Sequence, residues 1–223
     1  MTPLGEAAPV RATLVDYGAG NLVSIRNALL AVGAEVDVCR RPEDLVDAEM
    51  IILPGVGASG PAMARLRRQG LLRPLREAAQ AGTWLVGICL GMQLLFEHSE
   101  EDGARLLGLL PGDVVRLPDA PRLPHIGWNS LHLQRPHALL TGIADGTPVY
   151  FVHSYVPQPR DAAMVLAQTE HGGRFASVIA SGRLVGYQFH PERSGSDGLR
   201  LLANLVGLVA AQRAGIAAER GAA

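Results

Sequence analysis

Short hydrophobic runs alternate with amphipathic segments along the first hundred residues. The strand-like runs are residues 12–15, 35–39, 50–53 and 84–88. Residues 50–53 are hydrophobic at every position, which is typical of a strand buried on both faces between two layers of helices. Helical spacing covers residues 22–32, 61–81 and 91–98, with a break expected near Gly70 and Pro74. The alternation predicts a mostly parallel sheet covered by helices on both faces.

The pattern changes after about Gly108, where shorter strand-like runs are separated by proline and glycine. These runs are residues 114–117, 149–152, 164–168, 177–180 and 184–189, and such spacing favours antiparallel pairing. A last helix is predicted over residues 198–213. We therefore predict an α/β fold with a mixed, mostly parallel sheet and an antiparallel extension in the C-terminal half. Residues 1–223 are predicted to form a single domain, with flexible tails at 1–10 and 215–223.

Composition narrows the class of partner. The 223 residues carry a formal net charge of -1, and 48% of them are hydrophobic, which supports a packed core. The lack of a basic run argues against nucleic acid or an acidic membrane as the partner and favours a small-molecule substrate. No hydrophobic stretch approaches the roughly 18 residues of a membrane span. The first residues also lack the hydrophobic core of a signal peptide, so we expect a cytoplasmic protein.

The chain offers little to hold a metal ion or a cofactor. Its two cysteines, Cys39 and Cys89, are too few for a disulfide framework and lack the nearby histidines of a zinc site. The glycine-rich loop at residues 16–21 lacks the third glycine of the dinucleotide fingerprint and the lysine of a P-loop. We expect neither a metal nor a cofactor.

The most informative motif is Gly-Ile-Cys-Leu-Gly at residues 87–91. It is the thiol counterpart of the nucleophile elbow, in which flanking glycines allow a sharp turn between a strand and a helix. A thiol at Cys89 would then sit at the N-terminus of a helix, where the helix dipole stabilises a thiolate. The amide of Leu90 would be available to an oxyanion. The motif predicts a cysteine nucleophile.

A buried structural cysteine is the alternative interpretation, because free cysteine is among the most buried residue types. The flanking glycines favour the nucleophile at Cys89. Cys39 ends a predicted strand without any such motif, and we expect it to be inert.

A thiol nucleophile needs a base, and His190 is the best of the seven histidines. It follows the predicted strand at residues 184–189, and Glu192 lies two residues further on, where it can orient the imidazole. His98 and His153 are alternative bases. His98 lies far along the predicted helix after Cys89, whereas His153 follows a strand and remains a genuine rival.

These two motifs together resemble those of the class I glutamine amidotransferases, in which the triad follows the order Cys, His, Glu. Further blocks resemble the glutaminase subunits of imidazole glycerol phosphate synthases. They are residues 16–22 (DYGAGNL), 54–57 (PGVG), 127–129 (GWN), 150–155 (YFVHSY) and 190–195 (HPERSG). Met92 favours this branch, because many other relatives have histidine there. Arg193 stands where lysine is common in the branch, and we assign it no role.

The resemblance implies the roles of the site residues. Cys89 would be the nucleophile, His190 the general acid and base, and Glu192 the residue that orients the imidazole. The oxyanion would be bound by backbone amides at Leu90, Val56 and Gly57. The residues that would bind glutamine are Gly55, Gln93, His153, Ser154 and Tyr155. His153 would then be a wall of the pocket rather than the base.

The resemblance also implies a divided enzyme. Glutamine would be the substrate, and its ammonia would pass to a cyclase of (β/α)8-barrel fold in histidine biosynthesis. Such a barrel needs about 250 residues, so it must be a separate chain, and the two would form a heterodimer. Tyr17, Asn21 and Trp128 would face it. Two alternatives stay open: a glutaminase of another synthase, such as those making pyridoxal phosphate or anthranilate, and a catalytically silent binding module on this fold.

Overall fold

The computed structural model describes residues 8–117 and 122–221, with side chains described up to residue 215. The strands are β1 Arg11–Val15, β2 Glu35–Cys39, β3 Met50–Leu53, β4 Trp84–Ile88, β5 His98–Ser99, β6 Gly112–Arg116, β7 His125–Ser130, β8 His132–Leu133, β9 Pro148–His153, β10 Tyr155–Pro159, β11 Val165–Glu170, β12 Arg174–Ser181 and β13 Leu184–Tyr187. The helices are α1 Leu22–Ala31, α2 Ser59–Arg68, α3 Leu72–Gln80, α4 Leu90–Gln93 and α5 Gly195–Gly221.

The main sheet has eight strands in the order β2-β1-β3-β4-β13-β12-β11-β8. The first five pair in parallel, and the last three join them by antiparallel pairing. The predicted fold class is therefore confirmed, including the antiparallel extension in the C-terminal half. The carboxyl ends of β1, β3, β4 and β13 meet at one edge, where ligands of such sheets usually bind.

Two hydrophobic cores lie on opposite faces of this sheet because successive strand residues point to opposite sides. Leu14, Ile52 and Val86 belong to the core that also contains Leu29 of α1 and Leu205 of α5. Their strand neighbours Val15, Ile51, Leu53 and Leu85 belong to the core on the other face, which includes Leu66 of α2 and Leu75 of α3. Burial on both faces explains why these strands are hydrophobic throughout.

Two smaller sheets flank the main one. Strands β7 and β9 form an antiparallel pair, and β10, β6 and β5 form a three-stranded sheet. The sequence pattern does not predict β7 and β10, because β7 alternates only weakly in burial and β10 contains two prolines. The β7–β9 pair lies against the carboxyl edge of the main sheet: the His190 amide donates to Tyr150 O at 2.9 Å.

Two predicted helices have different bounds in the structure. The helix expected over residues 91–98 is wrong beyond Gln93, because α4 ends there and residues 98–99 form β5. The chain returns to close the end of α4, since the amide of Leu107 donates to Leu94 O at 3.0 Å. Helix α5 begins three residues before the prediction and continues to Gly221.

The expected tails are only partly within the described residues. Residues 1–7 and 222–223 lie outside them. Val10 is buried at 2% exposure, and residues 215–221 are helical. The flexibility of both tails stays a prediction. Among the described residues, none of the helices is both long enough and hydrophobic enough to cross a membrane.

Candidate active site

The turn between β4 and α4 holds Cys89 in a conformation that few side chains adopt. Its φ is 54° and its ψ is -112°, so the residue lies in the left-handed half of the backbone map. Strain of this kind is typical of functional sites. The turn depends on both flanking glycines: a Cβ on Gly87 would lie 2.5 Å from Gly91 O, and a Cβ on Gly91 would lie 1.7 Å from Leu53 O. The elbow predicted from the motif is present.

The sulfur of Cys89 lies in a nearly closed environment. The residue is 4% exposed but lines a cavity at the carboxyl edge of the main sheet. Its thiol donates to Val152 O at 3.6 Å, and Gln188 Nε2 donates to its sulfur at 3.8 Å. The amide of Leu90 opens helix α4 and has no acceptor four residues back within that helix, so it is available to a ligand.

His190 and Glu192 form an ion pair beside this cavity. Nδ1 of His190 lies 2.9 Å from Glu192 Oε1, and the two side chains are 7% and 1% exposed. The turn is fixed by Ser194, whose hydroxyl donates to His190 O at 2.7 Å and accepts from the Tyr150 amide at 3.0 Å. Both residues line the cavity together with Cys89. The nucleophile, base and orienting residue predicted from the sequence are thus brought together.

The charge balance around His190 favours its protonated form. Burial lowers the pKa of His190, but contacts with Cys89 and Glu192 outweigh burial and raise it to about 10. The carboxylate of Glu192 is buried, and among the described residues its Oε2 has no hydrogen-bond partner. An imidazolium at this position can give a proton to a leaving group in the cavity.

The two rival histidines have different surroundings. His98 is exposed, contacts Asp113 at 3.2 Å and is not among the residues that line the cavity with Cys89. His153 lines the cavity, but its Nδ1 lies 3.1 Å from Tyr155 O and its Nε2 lies 3.1 Å from Nδ1 of His125. Because a carbonyl only accepts, Nδ1 of His153 carries a proton and Nε2 is the acceptor.

Burial keeps this second pair of histidines neutral. Burial, reinforced by His125, lowers the pKa of His153 to about 3. Burial and the nearby His171 lower the pKa of His125 to about 4. With its Nε2 already accepting a hydrogen bond, His153 is placed as a wall of the cavity and not as the base.

The loop at residues 54–57 follows β3 and faces the same cavity. Val56 and Gly57 line it, and Gly57 has a φ of 92°. Gly55 lies behind the loop, where a Cβ would come within 2.4 Å of the Tyr17 hydroxyl. That hydroxyl donates to Pro54 O at 2.8 Å and fixes the start of the loop. Amides of this loop are thus close to the elbow, as an oxyanion site requires.

Tyr17 corrects one prediction. We expected it to face a partner chain, but it is only 1% exposed and packs beneath the loop. The hydroxyl is buried with the ring, and burial raises its pKa, with a further contribution from Cys89. Asn21, also expected at the interface, lines the cavity and caps α1 by accepting from the Ser24 amide. Trp128 is 58% exposed on β7 and remains available to a partner.

The cavity has a volume of about 420 Å³, and it brings together most of the predicted site. Its lining includes the predicted residues Asn21, Val56, Gly57, Cys89, Leu90, Gln93, His153, Ser154, Tyr155, His190 and Glu192. Gln93 is 4% exposed, and its Nε2 donates to Tyr155 O at 2.8 Å. Its Oε1 has no hydrogen-bond partner among the described residues and is free to accept from a ligand.

Comparison with a protein family agrees with this geometry. The model of the family described as glutamine amidotransferase class-I matches residues 13–207. The chain belongs to the class-I glutamine amidotransferase family. Its members act as glutamine amidotransferase enzymes, and so does this chain.

Curated relatives narrow the family further. A protein from Moorella thermoacetica named imidazole glycerol phosphate synthase subunit HisH is 49% identical over 197 residues, which cover 88% of this chain and 94% of that protein. The protein of the same name from Xanthomonas campestris is 49% identical over 195 residues, covering 86% of this chain and 95% of its own length.

Solved structures support the fold. The structure of PurLQS from Thermotoga maritima matches with a TM-score of 0.74, covering 91% of this chain and 99% of that one at 22% identity. A crystal structure titled glutamine amidotransferase matches with a TM-score of 0.70 at 23% identity, covering 89% and 99%. At these identities the likeness shows the fold alone.

Among the residues of the site that escape the sequence prediction, Glu101 and Gln188 carry polar groups. Glu101 lines the cavity, and its Oε2 accepts from the Ser59 amide at the start of α2. Its sequence context suggests a surface turn, so no local signal identifies it. Gln188 directly precedes Phe189 and His190 and is fully buried beside Cys89. A polar residue within a hydrophobic strand end is the signal that could have found it.

One cluster outside the cavity has ligand types that suit a metal ion. Glu97, His98 and Asp113 lie within reach of a shared ion at the surface. The guanidinium of Arg160 contacts Glu97 and lies 4.0 Å from Asp113, so it already compensates these carboxylates. None of these three side chains is among the residues that line the cavity with Cys89.

Proposed function

We propose that this chain is the glutaminase subunit of an imidazole glycerol phosphate synthase. It would hydrolyse glutamine to glutamate and deliver the ammonia to a separate cyclase subunit in histidine biosynthesis. The observation that carries this proposal is the meeting of Cys89, His190 and Glu192 in one cavity at the carboxyl edge of the sheet. The curated relatives from two distant bacteria support the choice of synthase.

His190 holds the proton taken from Cys89, and the resulting thiolate attacks the side-chain amide carbon of glutamine, with the amide of Leu90 and those of Val56 and Gly57 stabilising the oxyanion that forms. His190 then donates its proton to the leaving nitrogen, and ammonia departs as a thioester remains on the sulfur. The raised pKa of His190 supports this step, because the imidazolium is present at neutral pH. Water attacks the thioester, His190 takes its proton, and glutamate leaves as the thiolate of Cys89 is restored beside the imidazolium of His190.

Charged and polar groups around the cavity fit the amino-acid end of glutamine. The Oε1 atom of Gln93 can accept from the substrate's ammonium group, and the carboxylate of Glu101 supplies an opposite charge. Backbone groups at Ser154 and Tyr155, together with the neutral His153, form the remaining wall. Gly55 keeps the loop close to the elbow because a side chain there would meet Tyr17.

The names of the relatives and the exposed hydrophobic residues on β7 and the 54–57 loop support a partner chain. The relatives are named as subunits, which implies that this chain works with another. We propose a (β/α)8-barrel cyclase as that partner, because released ammonia needs a sheltered path to its acceptor. Trp128 and Ile126 are 58% and 61% exposed on β7, and Val56 is 48% exposed on the loop. Such large hydrophobic groups near the cavity suit a docking face.

The free cysteines Cys39 and Cys89 are consistent with reaction in the reducing cytoplasm.

The test compares the two cysteines. In the complex with the cyclase, we expect Cys89→Ala to abolish glutamine hydrolysis while cyclisation with added ammonium salts continues. Cys39→Ala is the matched control, because Cys39 is a buried cysteine whose thiol donates to Arg41 O outside the cavity. This variant should retain glutaminase activity. Glutamine hydrolysis by Cys89→Ala at the wild-type rate would contradict the assignment of Cys89 as the nucleophile.

The identity of the partner is tested separately. Affinity purification of the intact chain should recover a (β/α)8-barrel cyclase, and glutaminase activity should rise when that cyclase and its ligand are added. Recovery of a different synthase subunit would instead assign the chain to another glutaminase. Glutaminase activity absent with every partner would favour a silent binding module.

A further inference from the structure

One buried amide group contacts the reacting sulfur but has no place in the mechanism above. Gln188 follows β13 and is fully buried, and its backbone amide donates to Ser177 O at 3.0 Å. Its side chain reaches two other members of the site. Oε1 accepts from Gln93 Nε2 at 3.1 Å, and Nε2 donates to Cys89 Sγ at 3.8 Å. Gln188 therefore connects the nucleophile with a residue that we assign to substrate binding.

The direction of these hydrogen bonds follows from one backbone carbonyl. Tyr155 O can only accept, so the group of Gln93 that lies 2.8 Å from it must be the amide nitrogen. The second proton of that nitrogen then points to Gln188, which must present its oxygen. The nitrogen of Gln188 is left facing the sulfur of Cys89. The orientation of both amides is fixed by the network and does not depend on choosing a flip.

The sulfur has different best partners in its two protonation states. The thiol can donate to Val152 O, which lies 3.6 Å away. A thiolate has no proton to donate and is repelled by a carbonyl oxygen, whereas an N–H donor stabilises it. Gln188 supplies such a donor in a buried setting, where hydrogen bonds to charged groups are strongest. Its amide is held in place by Gln93 before the sulfur ionises.

We propose that Gln188 is a further catalytic residue, whose side-chain N–H stabilises the thiolate of Cys89 and whose carbonyl orients Gln93. This inference rests on the proposed function, in which Cys89 acts as the nucleophile. It makes Gln188 a link between substrate binding and nucleophile activation. His190 accepts the proton of the thiol, and Gln188 stabilises the charge left on sulfur.

The experiment measures the pH dependence of Cys89 alkylation by iodoacetamide, followed by mass spectrometry of the peptide that contains Cys89. Gln188→Met keeps the length of the side chain and removes both its donor and its acceptor. We expect alkylation at neutral pH to slow about tenfold and the midpoint to rise by about one pH unit, the size of a single charge-assisted hydrogen bond. A folded Gln188→Met variant with the wild-type midpoint overturns the proposal.

Gln93→Met is the matched comparison, because it removes the group that orients Gln188 but keeps the amide donor itself. We expect its alkylation midpoint to rise by less than that of Gln188→Met, while its KM for glutamine rises. In the complex with the cyclase, kcat of Gln188→Met should fall about tenfold at pH 7 and recover as the pH rises above both midpoints. A loss of kcat that is independent of pH would indicate a merely structural role and overturn the proposal.

A measurement on the wild-type protein covers the case in which Gln188→Met does not fold. The side-chain amide protons of Gln188, observed by nuclear magnetic resonance, should shift through the same midpoint as Cys89 alkylation. An amide that does not titrate overturns the proposal. Alkylation reports on the thiol even if Cys89→Ala retains glutaminase activity, so failure of this inference and failure of the proposed function remain distinguishable.

Discussion

Two pairs of buried groups face the same cavity and hold their histidines in opposite states. In the first pair, His190 lies 2.9 Å from Glu192, and its pKa is raised to about 10. In the second, His153 lies 3.1 Å from His125, and burial lowers its pKa to about 3. His190 and His153 are both about 6% exposed. At similar burial, the neighbouring groups decide whether a histidine keeps its proton: Cys89 and Glu192 outweigh the effect of burial at His190, whereas His125 reinforces it at His153.

The second pair belongs to an extended stack of rings. His125 stacks on Phe151 with ring centroids 4.9 Å apart and on His171 at 3.9 Å. Asn129 Nδ2 lies 3.3 Å from Nε2 of His125 and donates to Glu170 O at 2.9 Å. The neutral imidazoles of His125 and His153 pack as flat rings, and each has one hydrogen-bond donor and one acceptor. They hold β7 and β9 together beside the cavity, whereas the first pair belongs to the reaction that we propose.

The largest expected effect on catalysis comes from replacing each of the two histidines, His190 and His153, by asparagine. In the complex with the cyclase, His190→Asn should lower kcat for glutamine by about 10²- to 10⁴-fold, because the general acid and base is lost. His153→Asn should mainly raise KM, because His153 contacts the ligand without transferring its proton. Steady-state kinetics separate these outcomes. An equal loss of kcat in both variants would show that the two histidines are not functionally distinct.

An intermediate effect is expected on the pH dependence of stability. The pKa of His190 is raised on folding, so its contribution is full below pH 6.5 and is lost as the pH rises through about 10. The pKa values of His125 and His153 are lowered, so stability falls as the pH drops from 6.5 towards 4 and 3. These histidines therefore predict a maximum of stability near pH 6.5, measurable by urea denaturation.

Two variants test the acid arm and the alkaline arm of this pH profile, the sides on which stability falls below and above pH 6.5. Glu192→Gln removes one cause of the raised pKa of His190 and should flatten the alkaline arm. His125→Gln removes one titrating group and should reduce the acid slope, which for each histidine is at most about 1.4 kcal/mol per pH unit. If the acid arm stays unchanged in His125→Gln, other groups control acid unfolding.

The smallest expected effect is at His171, the outermost ring of the stack. His171→Gln should raise the pKa of His125 slightly, because burial is the larger cause of its lowering and His171 the smaller. Loss of stacking should cost about 0.5–1.5 kcal/mol of unfolding free energy. Nuclear magnetic resonance titration and thermal denaturation measure the two effects. His132→Gln, an exposed histidine on β8, is the control; a similar change there would mean that stacking on His125 does not matter.

The elbow shows where sequence reasoning succeeds. Cys89 and its two glycines are adjacent in the chain, and the contacts that demand glycine arise within the same turn or from the neighbouring β3. A turn whose constraints lie so close together can be recognised from a short sequence motif. The parallel strands could be predicted equally well, since continuous hydrophobic runs such as Met50–Leu53 follow from burial on both faces.

The same reasoning fails where contacts are distant or patterns mixed. The predicted helix extended beyond Gln93 because the spacing is helical, yet backbone amides of residues 106–110 donate to the carbonyls of residues 94–97, which follow α4. The resemblance placed Tyr17 at a partner interface, but its ring is buried and its hydroxyl donates to Pro54 O, 37 positions along the chain. Gln188 contacts Cys89 across 99 positions, and no pattern in either segment records that contact.

The sequence alone therefore determined the layered α/β fold, the elbow, and the residue types that make up the triad. These features depend on hydrophobic periodicity and on backbone sterics, which act between near neighbours. Only the tertiary structure decided which histidine is charged, which tyrosine is buried, and which amide faces the sulfur. Those outcomes depend on electrostatics and hydrogen bonding between groups far apart in the chain, which become neighbours only when the strands assemble into the sheet.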